Sequence, residues 1–356
     1  MEILWFIIVA FMLAMYVVLD GFDIGAGIIH LLVAKTDDER RLVLNTIGPV
    51  WDGNEVWILA AGGTLYFAFP LLYASSFSGF YLPLIIVLWL LMLRGLGIEF
   101  RHHVHHTLWK SFWDVVFSGA SILLAIFFGA ALGNVVRGVP LNHEGYFFEP
   151  LWTTFTIVPE SGILDWFTTI MGLVALFTLT THGANYVAMK TDGEVQSRAR
   201  SMAAKSAWGV LITWVLSLIA VTAIRPELWN NFSSYEWGYI FPLLGILGIV
   251  GMFYFNFRSV KNTADKKEDG KAFLSSTLFI AGMLATTAFG LFPNVLPAST
   301  DPNLSLTIYN VSAKPYGLGV GLAWWILGIV FAAGYFIFIY RTFRGKVTLP
   351  TEESGY

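Results

Sequence analysis

Nine long apolar stretches decide what this sequence can fold into. Each is near or above the roughly 20 residues that a helix needs to cross a lipid bilayer. The stretches lie at approximately 3–34, 46–73, 77–100, 112–136, 163–189, 202–224, 237–257, 272–293 and 318–340. Runs of this length without alternating polar residues exclude the strands of a membrane barrel. The sequence therefore predicts an all-α integral membrane protein with nine transmembrane helices.

Composition supports this class of protein and excludes others. Hydrophobic residues make up 56% of the 356 residues and charged residues 13%, which is too apolar for a soluble protein to bury. The net charge of −3 gives no indication of a nucleic-acid partner. The absence of cysteine excludes disulfides and metal sites held by thiolates. The first stretch carries Glu2 and continues past Val18, so we expect a retained helix rather than a cleaved signal peptide.

Lysine and arginine fall mainly on one side of the predicted membrane. The connections after the odd-numbered stretches hold 17 of the 21 basic residues, including Lys266, whereas the connections on the opposite side hold three. Basic residues are enriched in cytoplasmic connections. We therefore expect the N-terminus outside and the C-terminus in the cytoplasm.

A short sequence echo indicates an internal repeat. Lys35-Thr-Asp-Asp-Glu39 follows the first stretch and Lys190-Thr-Asp-Gly-Glu194 follows the fifth, an offset of 155 residues. Because four stretches separate them, the two halves would have the same direction in the membrane. We expect a single membrane domain over 1–356, with four-helix bundles at 1–136 and 163–293 and a ninth helix at 318–340. A chance match of five residues remains the alternative.

The most unusual feature of the apolar stretches is their acidic residues. Asp52 and Glu55 lie in the segment 47–57, three residues apart and therefore on one face of a helix. Asp20 and Asp23 have the same spacing in the first stretch, and His30 continues their stripe. Charged side chains inside a membrane are costly, so these residues are functional candidates. The alternative for Asp20 and Asp23 is a position near the lipid headgroups at the end of a short helix.

Arg94 in the third stretch is the one deep basic residue available to these four acids. At about 1.5 Å per residue from the predicted cytoplasmic ends, Arg94 lies about 9 Å deep, Asp52 about 10 Å, Glu55 about 15 Å and Asp23 about 17 Å. Glu99 lies near the boundary. The four acids cannot all be ionised at this depth, so we expect some to be protonated or paired with other cations. A proton path explains the cluster, and an ion pair that locks helices together is the alternative.

Histidines and tryptophans give weaker indications. The segment His102-His103-Val-His105-His106 has the spacing of metal ligands, but it fits a titratable cytoplasmic patch better and no metal site is predicted. The deep histidines, His30 and His182, are too few for the paired ligands that several haems need. Trp51 and Trp57 suit the wall of a slot for a quinone tail, although aromatic residues in membrane helices more often face lipid or the core.

Several motifs resemble subunit II of cytochrome bd-type quinol oxidases. The motifs are Asp20-Gly-Phe-Asp-Ile-Gly-Ala-Gly27, Gly48-Pro-Val-Trp-Asp-Gly-Asn-Glu-Val-Trp57, Phe77-Ser-Gly-Phe-Tyr81, Arg94, Gly133-Asn134, Gly138-Val-Pro140, and Phe292-Pro293 with Pro297-Ala-Ser-Thr300. The resemblance covers nearly the whole chain. Its most specific part is the Trp-Asp-Gly-Asn element, which follows the Asp-Gly-Phe-Asp element by about 30 residues.

The resemblance implies a heterodimer in a bacterial or archaeal cytoplasmic membrane. Its subunit I would carry two b-type haems, one d-type haem and the quinol site, and the complex would reduce dioxygen to water with electrons from quinol. This chain would bind no haem, would contact membrane lipids, and would supply structural support and a cytoplasmic proton route. A small single-helix accessory subunit is a further candidate partner, and a structural quinone is a candidate ligand.

The matching positions imply roles for individual residues. Asp52 occupies the place of the family's proton-channel acid, and Asp23 and Arg94 occupy positions tied to assembly and haem incorporation. Some members have Gln in place of Glu55, which makes Glu55 a local addition. The expected proton pathway consists of Asp52, Glu55, Asp23 and Asp20. The residues expected to support it structurally are Arg94, Trp51, Trp57, Asn54 and Glu99.

Two other functions remain open on the residues alone. A proton-coupled secondary transporter would move its parallel halves about the acidic site. Such a transporter needs deep acids in the second half, where the sequence offers Asp165 near the outer end and His182. A haem-binding cytochrome b would keep its haem in the isolated chain.

Overall fold

The computed structural model describes residues 1–157, 161–261 and 267–348, and Lys266 lies outside them. The described residues form twelve α-helices: α1 (Glu2–Val33), α2 (Asp37–Ile47), α3 (Trp51–Ala68), α4 (Pro70–Gly79), α5 (Tyr81–Phe100), α6 (Thr107–Arg137), α7 (Trp166–Lys190), α8 (Gly193–Ile224), α9 (Asn230–Ser234), α10 (Ile240–Lys261), α11 (Lys267–Leu291) and α12 (Pro315–Thr342). Short 3₁₀ turns lie at Pro226–Trp229, Glu236–Tyr239 and Pro302–Leu304. Two short antiparallel strands are β1 (Asn294–Leu296) and β2 (Leu306–Thr307). The all-α prediction is confirmed.

Eight helices in the described ranges are long and apolar enough to cross a membrane. They are α1, α5, α6, α7, α8, α10 together with the turn before it, α11 and α12. The helix α3 has 18 residues and is not among the eight, because Asp52, Asn54 and Glu55 make it more polar. The number of nine spans and the side of each terminus remain predictions.

The predicted second stretch, 46–73, is interrupted at both ends. The helix α2 ends at Ile47, and a turn at 48–50 leads into α3. At the other end Phe69 precedes Pro70, and a residue before proline is disfavoured in the helical region. Phe69 accordingly has φ −135° and ψ 65°, and a new helix begins at Pro70. The observed α3 is therefore shorter than the predicted stretch.

The first helix is the centre of the fold. It packs against α3, α6, α7 and α11. At its contact with α7, Gly25 faces Gly183 so closely that a Cβ on Gly25 would lie 2.7 Å from the Cα of Gly183. Small residues allow helix backbones in a membrane to approach in this way. These two glycines therefore join the first half of the chain to the second.

The two segments of the sequence echo occupy comparable turns. Thr36 caps α2 just after α1 ends and forms a reciprocal capping box with Glu39. In the second half, α7 ends at Lys190 and α8 begins at Gly193. Asp114 near the start of α6 and Asp269 near the start of α11 have the same offset of 155 residues. This agreement supports a repeat, and the division into two bundles remains a prediction.

The last helix, α12, runs along the edge of the molecule against α3. Phe336 packs on Trp57 with ring centroids 5.6 Å apart. The indole of Trp5 donates a hydrogen bond to the carbonyl of Leu318 at 3.3 Å. The outward side chains of α12 are exposed, and Trp324 is 70% exposed. The last helix therefore lies beside the segment of α3 that carries the acids.

Candidate functional site

Three helices meet at a buried guanidinium. Arg94 on α5 is fully buried and donates hydrogen bonds to Asp20 on α1 at 2.7 Å and to Glu55 on α3 at 3.0 Å. Asp20 is also fully buried, whereas the side chain of Glu55 is 21% exposed. A guanidinium is suited to this position because its planar donors can engage two carboxylates at once. Arg94 therefore ties α1, α3 and α5 together at one polar point.

Asp23 joins this point through an amide. Asn54 on α3 is fully buried and donates to the Asp23 carboxylate at 2.7 Å. The oxygen of the same amide accepts a hydrogen bond from the Tyr340 hydroxyl on α12 at 2.9 Å. We call the five residues Asp20, Asp23, Asn54, Glu55 and Arg94 the Arg94 cluster.

The side chains at the start of α3 point to different parts of the molecule. Successive side chains point about 100° apart around a helix. The ring of Trp51 lies over Gly95 of α5, where an added Cβ would be 3.4 Å from the ring. An added Cβ on Gly53 would lie 2.9 Å from the hydroxyl of Tyr335. Asn54 points to α1 and Glu55 points to Arg94. The segment 51–55 therefore packs α3 against α1, α5 and α12.

Asp52 lies outside the Arg94 cluster, although its spacing from Glu55 had suggested that the two acids share one polar site. Its side chain is exposed, and within the described residues no hydrogen bond or ion pair holds it. The cause is the turn at 48–50, which makes Asp52 a first-turn residue of α3. A carboxylate is favourable there because the N-terminus of a helix carries partial positive charge. Asp52 is thus at the open end of α3, one turn before Glu55.

The charges of the Arg94 cluster do not balance. Three carboxyl groups share one guanidinium in the apolar interior. Among the described residues, one oxygen of Asp23 and the Nε of Arg94 are buried without a protein partner. Three carboxylates beside one cation would leave uncompensated charge in a medium that solvates it poorly. The cluster is therefore chemically suited to hold and release a proton.

The remaining predicted residues take structural positions. Trp57 is buried and packs edge-on against Phe11. Glu99 is partly exposed near the end of α5, and its backbone carbonyl lies 3.0 Å from the ring of His103. The histidines at 102–106 are exposed, and the described ranges contain no group of three His, Cys, Asp or Glu placed to hold a metal ion.

His182 is a contact between helices. One ring nitrogen lies 2.8 Å from the Ser276 hydroxyl and the other 2.9 Å from the Val18 carbonyl. Its ring also stacks on Phe273 at 4.7 Å. Both nitrogens therefore have partners within the chain, and the side chain joins α1, α7 and α11.

A second buried ion cluster was not predicted. His30, expected on the stripe with Asp20 and Asp23, instead lies 2.6 Å from Asp114 of α6. Arg101 donates to Asp114 at 2.7 Å and to Asp37 at 2.6 Å. We call this group, with Arg40 and Lys110 at its rim, the Asp114 cluster. The 155-residue offset of the sequence echo could have indicated this cluster, because it pairs Asp114 with Asp269. Asp269 is also buried and accepts a hydrogen bond from Arg200 at 2.7 Å.

Fold and site together define a helical membrane subunit with a polar cluster inside its first helices. The structure of bd oxidase from Geobacillus thermodenitrificans contains a chain of the same fold, with a TM-score of 0.68 over 96% of this chain and 98% of that chain, at 16% identity. A family model described as cytochrome bd terminal oxidase subunit II matches residues 1–343. The chain belongs to this family, and the resemblance seen in its motifs is confirmed.

Curated relatives match this chain over almost their full length. Cytochrome bd-I ubiquinol oxidase subunit 2 of Escherichia coli K12 is 31% identical over 90% of this chain and 88% of its own length. Cytochrome bd ubiquinol oxidase subunit 2 of Bacillus subtilis is 31% identical over 97% and 96%. A probable cytochrome oxidase subunit 2 of Haemophilus influenzae is 32% identical over 98% and 95%.

Family membership settles the class of complex. The chain is a multi-pass protein of the cytoplasmic membrane and a subunit of an oxidoreductase complex of the respiratory chain. The complex contains haem, and a subunit II implies a subunit I as its partner.

Proposed function

We propose that this chain is the non-haem subunit of a heterodimeric terminal oxidase that reduces dioxygen to water with electrons from quinol. In this proposal it supports subunit I and supplies a proton pathway from the cytoplasm. The observation that carries the proposal is the Arg94 cluster, in which three carboxyl groups share one guanidinium next to the exposed Asp52. Oxygen reduction consumes protons, so a complex buried in the membrane needs such a route.

The proposed route starts at Asp52 and follows α3 inward. Asp52 is exposed on this chain, and Glu55 lies one turn further along the same helix with part of its side chain still exposed. Arg94 connects Glu55 to Asp20. Asp23 lies one turn from Asp20 on α1. All three of these carboxyl groups are more buried than Asp52, which suits transfer of a proton from Asp52 into the Arg94 cluster.

The proposed topology has nine transmembrane helices, with α3 as the ninth member of the set. A helix of 18 residues is about 27 Å long, close to the thickness of the hydrocarbon core. Its polar side chains Asn54 and Glu55 are directed to α1, α5 and α12 rather than to lipid. With nine spans, the basic residues put the N-terminus outside and the C-terminus in the cytoplasm. The proposed bundles are α1–α6 and α7–α11, with α12 added at the edge.

Subunit I is the proposed site of the two b-type haems, the d-type haem and quinol oxidation. The exposed apolar side chains on α3, α5 and α12 suit a membrane partner or lipid, and they include Leu59, Trp89 and Trp324. A partner over this face would also cover the exposed part of Glu55.

A small accessory helix remains a proposal. So does a structural quinone, for which the chain offers an apolar cavity of about 520 Å³ between α1, α6, α7 and α11.

The described residues contain no second acidic site of the kind that the transporter alternative needs. At the echo's offset, the counterparts of Asp20 and Asp23 are Ala175 and Thr178. An alternating mechanism about equivalent acidic sites in both halves therefore lacks one of them.

The test is the variant Asp52→Asn in the purified two-subunit complex. Quinol-driven oxygen consumption should fall while the haem content per complex stays near that of the wild type. The matched control is Asp38→Asn, because Asp38 is an exposed acid on the same cytoplasmic surface. Turnover of Asp52→Asn equal to that of Asp38→Asn would contradict the proton role.

A further inference from the structure

The last helix reaches the Arg94 cluster through one hydroxyl group. Tyr340 lies near the end of α12 and donates to the Asn54 oxygen at 2.9 Å, while the Asn54 nitrogen donates to Asp23 at 2.7 Å. Asn54 is fully buried, so no solvent competes for either end of its amide. The Asn54 nitrogen also donates a longer hydrogen bond to the Leu19 carbonyl at 3.5 Å. Both ends of the amide therefore have partners within the chain.

The direction of the amide depends on the proton at Asp23. A carboxylate only accepts hydrogen bonds, so it takes the nitrogen end of Asn54. A protonated carboxyl group carries an O–H donor, and the oxygen end of the amide would then be the better neighbour. Turning the amide round directs its nitrogen at Tyr340 and gives up the long hydrogen bond to Leu19. A tyrosine hydroxyl both donates and accepts, so it can pair with the amide in either direction.

We propose that Tyr340 is a positioning residue for Asp23, acting through Asn54. The hydroxyl keeps the amide paired whether Asp23 is charged or protonated, and it thereby lowers the barrier to loading and unloading a proton. An amide exchanges protons poorly, so Asn54 orients Asp23 rather than relaying the proton itself. This inference rests on the proposed function, because it gives Asp23 a place on the proton route.

Other groups also act on Asp23 and must be held constant. The titratable or charged side chains that interact with it electrostatically are Asp20 on α1, Glu55 on α3, Arg94 on α5, Tyr186 on α7 and Tyr340 on α12. Tyr186 is engaged elsewhere, since its hydroxyl donates to the Thr46 carbonyl at 3.1 Å. Replacing Tyr340 by phenylalanine leaves all the other groups in place and removes only the hydroxyl.

The same helix offers a matched control. Tyr335 lies on α12 against Gly53, one residue before Asn54. Within the described residues, its hydroxyl makes no hydrogen bond. The variant Tyr335→Phe therefore removes a tyrosine hydroxyl from the same interface without touching the amide.

The experiment measures turnover against pH in the purified complex, with haem content as the measure of assembly. Tyr340→Phe should lower turnover about fivefold, as expected for one lost hydrogen bond. It should not move the pH of half-maximal turnover, because the hydroxyl pairs with the amide in both protonation states of Asp23. Tyr335→Phe should leave both turnover and the pH profile unchanged. In a chain that carries Asn54→Leu, adding Tyr340→Phe should change nothing further, because the hydroxyl acts through the amide.

Three results would overturn the inference. Tyr340→Phe could behave like Tyr335→Phe, its effect could add fully to that of Asn54→Leu, or its lower turnover could merely follow a lower haem content. Asp52→Asn separates this inference from the proposed function. If Asp52→Asn slows turnover and Tyr340→Phe does not, only the inference fails; if neither variant slows turnover, both fail.

Discussion

Arg94 and Asp20 form an ion pair at 2.7 Å in which neither side chain is exposed to solvent. The pair joins α5 to α1 and leaves Glu55 and Asp23 as further acids around the same guanidinium. A buried pair of this kind stabilises the fold little beyond an apolar contact, but removal of one partner leaves the other charge unpaired.

Arg94→Leu should therefore prevent assembly of the complex. The loss of the only cation in the Arg94 cluster is expected to destabilise the subunit by about 3–5 kcal/mol. Arg94→Lys keeps the charge but cannot donate from a planar fork, so its assembly should be intermediate. The measurement is the haem content and yield of the complex purified through a tag on this chain. Normal assembly of Arg94→Leu would show that the acids are not paired as described.

Asp114→Asn should destabilise the subunit without affecting turnover per assembled complex. Asp114 is buried and binds His30, Arg101 and Arg40, so the substitution leaves buried donors with a weaker acceptor. A loss of about 3 kcal/mol is expected. Thermal unfolding of the complex measures it, with the exposed Asp38→Asn as the control. Slow turnover in an intact Asp114→Asn complex would instead make the Asp114 cluster part of the proton route.

The ion pairs of Asp37 should give the subunit a small stability that depends on pH. Burial acts to raise the pKa of the Asp37 carboxyl, but hydrogen bonds from Lys110 and Arg101 outweigh it and lower the pKa below its ordinary value of 3.8. The stabilisation is therefore fully present above that ordinary value, and it is lost as the pH falls through the lowered pKa. Because the side chain is half exposed, its contribution is below about 1 kcal/mol.

The check on Asp37 is the difference in unfolding temperature between the wild type and Asp37→Asn. This difference should be constant near neutral pH and should shrink at strongly acidic pH. A difference that grows on acidification would have the wrong sign for a carboxylate held in its charged form.

Gly183→Ala should separate α1 from α7. The added methyl group would lie 2.4 Å from the Cα of Gly25, and backbone atoms cannot move aside as a flexible side chain can. A loss of about 1–3 kcal/mol is expected from overpacking. Gly63→Ala on α3 is the matched control, since an added Cβ there meets no atom within 4 Å. Equal unfolding temperatures for the two variants would contradict the close approach of α1 and α7.

The acids and the arginine were predictable from the sequence because charge in an apolar stretch is conspicuous. Asp20, Glu55 and Arg94 meet as the helical spacing and the similar depths suggested. The position of Asp52 was not predictable in the same way. The turn at 48–50 ends one helix and starts another, and its local signal is Gly48-Pro49, which the prediction of one continuous stretch did not use.

Contacts between distant segments were the other limit. Asn54 is 286 residues from Tyr340, and no local pattern indicates that α12 packs beside α3. His30 shows the same limit. Its spacing placed it on the same face of α1 as Asp20 and Asp23, but its side chain contacts Asp114 on α6. Helical periodicity predicts which residues share a face, whereas the neighbour of that face depends on how the helices pack.

The most direct test of the account is proton uptake on the cytoplasmic side during a single reaction of the reduced complex with oxygen. A pH-indicating dye outside oriented membranes would follow the protons while haem absorbance follows the electrons. We expect Asp52→Asn and Glu55→Gln to delay proton uptake, with the double variant no slower than the slower single variant, because the two residues act in series. Uptake at the wild-type rate in the double variant would contradict a proton route along α3.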